Sequence, residues 1–108
     1  MSIKLLEHVR DELKRSGAVQ NTPEFCRSWL GRSEGYIRTL RHHHLEPSVA
    51  TLAVCANKLD YYAQHLKGSD EPEHQAFVAR FEGLKGLCDQ AIAKQAQAVW
   101  REPARMGI

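Results

Sequence analysis

Apolar residues recur at helical spacing along almost the whole chain. The first stripe, within residues 2–16, is formed by Ile3, Leu6, Val9 and Leu13. Residues three or four positions apart lie on one side of a helix, so this stripe predicts an amphipathic helix. Gly17 then supplies a residue that tolerates the left-handed conformation of a helix end. Because no segment shows the alternation typical of strands, the pattern predicts an all-α protein.

Three further helices are predicted between residues 21 and 68. Thr22 is the predicted N-cap of the second helix, which runs to Gly31. Ser33 is the predicted cap of the third helix, over about residues 33–43. Ser48 follows a proline and caps the fourth helix, whose apolar pattern continues to a stop at Gly68.

A polar segment at residues 69–73 separates these helices from a long C-terminal helix, expected from Pro72 to about Arg101. Residues 1–68 are therefore predicted as one domain and 69–108 as a dimerisation or bracing segment. The heptad-like spacing of its apolar residues favours a dimer contact. The residues predicted for this contact are Phe77, Phe81, Leu84, Cys88 and Trp100. Trp100 could instead fold back onto the N-terminal helix.

Composition narrows the classes of protein only mildly. The formal net charge is +2, which permits a nucleic-acid partner but does not indicate one strongly.

No run of about 18 apolar residues is present and the N-terminal segment is charged throughout, so we expect no membrane association and a cytoplasmic location. The three cysteines, Cys26, Cys55 and Cys88, lie in apolar-periodic positions, and we expect reduced thiols in or near the core.

Residues with catalytic or metal-binding chemistry form no recognisable motif. The run His42-His43-His44 is the strongest metal candidate, but consecutive helical residues point about 100° apart and cannot converge on one ion. The chain has no Gly-rich phosphate loop, nucleophile elbow or HExxH pattern. We therefore expect neither enzymatic activity, nor a metal, nor a cofactor.

One segment resembles a known family. The spacing of Gly31, Ser33, Ile37, Leu40, Pro47 and Ser48 is similar to that of the Cro/repressor type of helix-turn-helix domain. The resemblance covers roughly residues 21–66, and a group of small bacterial proteins shares the pattern WLGRS…Y…LR…PS. Two positions depart from the family, since Arg27 stands where alanine is usual and Arg32 where an aliphatic residue is common. The resemblance implies a lambda-repressor-like helix-turn-helix bundle with an appended C-terminal helix.

The same resemblance implies which residues contact DNA. In this family the N-terminal part of the second helix of the motif faces base edges, and flanking residues bind phosphate. The candidates for the major groove are Ser33, Glu34, Gly35, Arg38, Thr39 and His42. The candidates for phosphate contacts are Arg32, Arg41, His43 and His44, with the backbone amides of the helices that Thr22 and Ser48 were predicted to cap.

Two functions remain open at this point. The first is a sequence-specific regulator that binds double-stranded DNA as a homodimer, as a repressor or mobile-element-type controller. The second is a protein-interaction module of the same fold, such as an antiactivator or adaptor, because fold alone does not determine function.

Overall fold

Five α-helices make up most of the computed structural model, which describes residues 2–106. They are α1 (Ser2–Arg15), α2 (Thr22–Trp29), α3 (Tyr36–His42), α4 (Val49–Leu66) and α5 (Pro72–Trp100), followed by a short 3₁₀ turn at Pro103–Arg105. The described residues contain no strand, and the prediction of an all-α protein is confirmed. The molecule measures 53 × 31 × 18 Å, so it is elongated.

Two helix ends lie where the sequence placed them. Gly17 has φ +81° just after α1, and the amides of Gly17 and Ala18 donate to carbonyls in the last turn, of Lys14 and Leu13. This is the hydrogen-bond pattern of a Schellman motif. At the start of α4, the Ser48 hydroxyl accepts a hydrogen bond from the Thr51 amide, which confirms Ser48 as the N-cap.

The starts of α2 and α3 differ from the predictions. Asn21, rather than Thr22, caps α2, because its side-chain oxygen accepts the amide hydrogen of Glu24. The third helix begins at Tyr36 instead of Ser33, and it has seven residues. The Tyr36 amide donates to the Ser33 carbonyl, so Ser33 belongs to a separate turn before the helix. Ser33, Glu34 and Gly35 therefore lie in the connection between α2 and α3.

The core is built around α4, which packs along α5 with its face of Leu52, Cys55, Leu59 and Ala63. Aromatic rings join three helices at one end of this core. The Trp29 ring of α2 lies 5.5 Å from the Tyr62 ring of α4 and 6.4 Å from the Phe81 ring of α5, centroid to centroid. The C-terminal helix thus contributes to the same core as the first four helices.

The apolar stripe of α5 is used inside the chain. Phe81, Leu84 and Cys88 are buried, and Phe77 is partly buried against the same cluster. These four residues, predicted for a dimer contact, leave little free surface for a second copy. Trp100, the fifth predicted residue, is 49% exposed.

Cys26, Cys55 and Cys88 are buried free thiols, as predicted. Between residues 2 and 106, no helix has both the length and the apolar content needed to cross a bilayer.

Candidate nucleic-acid interface

The third helix presents one polar side to solvent. Ile37 and Leu40 point into the core, whereas Arg38, Thr39 and His42 are exposed. The sequence of α3, YIRTLRH, contains no acidic residue. Its exposed side therefore offers a guanidinium, a hydroxyl and an imidazole, which are groups that can donate hydrogen bonds to base edges or phosphates.

Arg38 is the least constrained of the predicted DNA-contacting arginines. Within the described part of the chain, its guanidinium has no ion-pair or hydrogen-bond partner. The side chain reaches back toward the start of α3, where a Cβ atom added at Gly35 would lie 3.4 Å from its Nη2 atom. The guanidinium of Arg38 therefore lies close to Gly35, at the start of α3.

Two nearby arginines are compensated by carboxylates. Arg41 forms an ion pair with Glu7 of α1, and Arg27 of α2 forms one with Glu34, at 2.8 Å between Nη1 and Oε1. Both arginines are exposed, so these pairs contribute little to stability. They reduce the free positive charge around α3, and Glu34 is turned toward Arg27 in the connection before α3.

Arg32 is held by a hydroxyl cluster at the start of α4. Its Nε donates to the Thr51 Oγ1 atom at 2.9 Å, and its Nη2 donates to the Ser48 Oγ atom at 3.3 Å. The Tyr36 hydroxyl donates to the same Thr51 oxygen at 3.2 Å, and the guanidinium lies 5.4 Å from the centre of the Tyr36 ring. Neither Thr51 nor Tyr36 was predicted from the sequence for this role. The spacing of a hydroxyl residue three positions after the cap was the available signal.

This cluster places a cation at the positive end of a helix dipole. The amides of the first helical residues, Val49 and Ala50, have no partner within the helix and lie at exposed positions. A guanidinium beside them raises the local positive potential, because the N-terminal end of a helix is itself equivalent to about half a positive charge. The arrangement favours an anion, such as a phosphate group, at this end of α4.

The start of α2 is less suited to phosphate. The Glu24 carboxylate already accepts a hydrogen bond from the Gln20 amide at 3.2 Å beside this helix end. The Thr22 hydroxyl accepts from Arg10 Nη1 at 3.4 Å instead of capping the helix. Because the negative charge of Glu24 would repel a phosphate, the predicted anion contact at Thr22 is disfavoured.

The three consecutive histidines lie at the last residue of α3 and just beyond it. The rings of His42 and His43 meet edge to face, with centroids 4.9 Å apart. His44 has φ +54° and ends α3, where the Leu45 amide donates to the Leu40 carbonyl. Residues 2–106 bring together no three His, Cys, Asp or Glu side chains that could hold a metal ion.

Comparison with known proteins finds one family. The model of a family of unknown function, DUF6626, matches residues 6–101, a span that includes parts of all five helices. No curated protein and no solved structure gives a significant match.

Proposed function

The chain belongs to DUF6626, a family of unknown function, and from its own residues we propose that it is a transcriptional regulator that binds specific double-stranded DNA. In this proposal α2 and α3 form a helix-turn-helix motif and α3 enters the major groove. The observation that carries the proposal is the exposed side of α3, which has no acidic residue and presents Arg38 without an intramolecular partner. A regulator of this kind acts as a repressor or mobile-element-type controller.

Base reading falls chiefly to Arg38 and Thr39. A free guanidinium at the start of a recognition helix can pair with O6 and N7 of guanine. Thr39 and His42 lie on the same exposed side and contribute hydroxyl and imidazole contacts. Ser33, Glu34 and Gly35 precede the helix, so they bring the backbone close to DNA without lying in the groove as helical residues.

Phosphate contacts fall to the start of α4 and the residues that follow α3. Arg32 and the exposed amides beyond Ser48 form one anion-binding position, as their geometry favours. His43 and His44 are exposed at the opposite end of α3. Contacts at both ends of the helix would fix its register along the groove, because phosphate contacts set position and base contacts set specificity.

Binding to labelled duplex DNA, followed by fluorescence anisotropy at several salt concentrations, tests the proposal. Duplexes enriched from a randomised library supply the specific sequence. We expect affinity to fall as salt rises, since bound phosphates release counterions. Arg38→Ala is expected to weaken specific binding by about 1–3 kcal/mol and to relax the preference at one base pair.

Arg15→Ala is the matched control, because it removes an exposed arginine at the end of α1, outside the proposed interface. It should leave the specific affinity nearly unchanged. The proposal is lost if no duplex binds at low salt, or if Arg38→Ala behaves like Arg15→Ala.

A protein-interaction module, such as an antiactivator or adaptor, is the second candidate. The observation that favours it is the pairing of Arg27 and Arg41 with carboxylates, which leaves the α3 face with little net positive charge. A folded protein that binds no DNA at low salt would support this alternative.

A further inference from the structure

The last part of α5 projects from the core. Near the end of this helix, the Gln95 Nε2 donates to the Pro47 carbonyl at 2.9 Å and to the Ser2 hydroxyl at 3.4 Å. Residues 96–100 are all exposed. A helix of 29 residues is about 43 Å long, which accounts for most of the 53 Å dimension of the molecule.

The projecting end, residues 99–101, carries apolar side chains. Val99 is 57% exposed and Trp100 is 49% exposed. Terminal helical turns without tertiary support are only marginally stable in water. Tryptophan is enriched among the few residues that dominate binding at protein interfaces. The end of α5 is therefore only marginally stable when it is surrounded by water, and its tryptophan is suited to anchor a protein interface.

An apolar groove of about 460 Å³ lies at the base of this projection, between α5 and the start of α1. Its apolar walls come from Leu5 of α1 and from Leu87, Ala91 and Ala98 of α5, and its polar rim includes Glu46 and Lys94. Leu87 is 38% exposed in this groove. A volume of this size is in the range that holds one large side chain and its neighbours.

We propose that the groove receives the projecting end of α5 from a second copy of this chain, in a two-fold dimer. The chain carries both an apolar projection and an apolar groove, but its own projection cannot enter the groove. The same unbroken helix forms the groove wall as far as Ala98 and continues into residues 99 and 100, so that a return would require breaking α5. A second copy supplies the missing partner without any change in the helix.

The area of the contact agrees with this occupant. A specific dimer buries about 800 Å² per partner, of which one aromatic side chain supplies about 150–250 Å². In a two-fold dimer each chain buries both its projection and its groove, so the contact is made twice.

The dimer would supply the two-fold pairing that the proposed DNA binding requires. It is tested without DNA, so that a failure of the dimer and a failure of DNA binding can be told apart. Sedimentation velocity over a concentration series of the full chain measures the dimer dissociation constant. We expect a concentration-dependent dimer and a loss of affinity of about thirtyfold or more in Trp100→Ala. Leu87→Glu should weaken the dimer similarly, and Leu87→Ala provides a milder change if the charged variant loses its helical circular dichroism.

Val54→Glu is the matched control, because Val54 is 46% exposed on α4 and lies outside the groove. It should dimerise like the wild type. A mixture of Trp100→Ala and Leu87→Glu chains should form a heterodimer more readily than either variant forms a homodimer, since one intact projection then meets one intact groove. A monomeric wild type, a wild-type dissociation constant in Trp100→Ala, or a mixture that gains no heterodimer would each overturn the proposal.

Discussion

Replacing Thr51 with valine tests the hydroxyl cluster that holds Arg32. Thr51 is 1% exposed, and valine keeps its branched shape while removing the hydroxyl. That oxygen accepts hydrogen bonds from Arg32 Nε and Tyr36 Oη, and it shares a third bond with the Ser48 Oγ at 2.9 Å. A hydroxyl has one donor and two acceptor positions, so all of its capacity is used. Thr51→Val therefore removes a hydroxyl whose donor position and two acceptor positions are all used in hydrogen bonds.

The expected loss of stability follows from this count. A typical hydrogen bond contributes about 0.5–1.5 kcal/mol net, so three bonds set an upper range of about 1.5–4.5 kcal/mol. Arg32 and Ser48 lie at exposed positions and regain water when the bond is lost, which lowers their share. The Tyr36 hydroxyl sits at a half-buried position and recovers less. We expect Thr51→Val to lower the free energy of unfolding by about 1–2 kcal/mol.

Urea unfolding followed by far-ultraviolet circular dichroism measures this change. A double-mutant cycle with Arg32→Ala isolates the pair, and we expect a coupling free energy of about 0.5–1.5 kcal/mol between the two positions. If Thr51→Val lowered the free energy of unfolding by less than about 0.5 kcal/mol, the effect would be typical of a surface position without such contacts. That result, or a coupling of zero, would refute the account of Arg32 as a residue fixed by Thr51.

Three further predictions concern helix ends and the buried thiols. His44→Gly should stabilise the fold by about 0.5–1 kcal/mol in urea unfolding, because His44 has φ +54°, and His44→Ala should show no such gain. Asn21→Ala should cost about 1 kcal/mol and Thr22→Ala clearly less, since only Asn21 caps α2; equal costs would contradict the assignment. A hydrogen bond with Cys88 and burial raise the pKa of Cys55 far above its usual range. The unfolded thiol, with a pKa of about 8.5, ionises above that pH while the folded one stays protonated, so the urea midpoint should fall as pH rises past this point. In Cys55→Ala the urea midpoint should fall less steeply with pH, and an unchanged slope would contradict this assignment to Cys55.

The sequence predicted those helix ends that depend on near neighbours. The ends at Gly17 and Ser48 are set by hydrogen bonds within a few residues, so local residue types were sufficient. The start of α3 was not predictable in this way, because Ser33 and Gly35 are compatible with either a helix or a turn. The Arg32 amide donates to the Cys26 carbonyl, and Glu34 pairs with Arg27, so contacts back to α2 hold the connection in place.

Periodicity located the apolar side of α5 but not its packing partner. The spacing of Phe81, Leu84 and Cys88 is the same whether a helix packs in its own chain or in a dimer. The candidate interface shows a similar limit. The exposed side of α3 followed from its pattern, whereas the pairing of Arg41 with Glu7 joins helices that are distant in the chain. Such contacts depend on the tertiary arrangement, and local sequence does not encode them.

The packing of the Trp29 ring against Phe81 of α5 makes the first four helices unsuitable for transfer to another protein. Domain-swapping chimeras move a DNA-binding segment by cutting at a polar linker, and residues 69–71 would be the natural place here. A fragment that ends at Gly68 would leave one side of Trp29 and the α5-facing side of α4 in water. Engineered fusions should therefore carry α5 at least as far as Gln95, whose side chain hydrogen-bonds to Ser2 and Pro47.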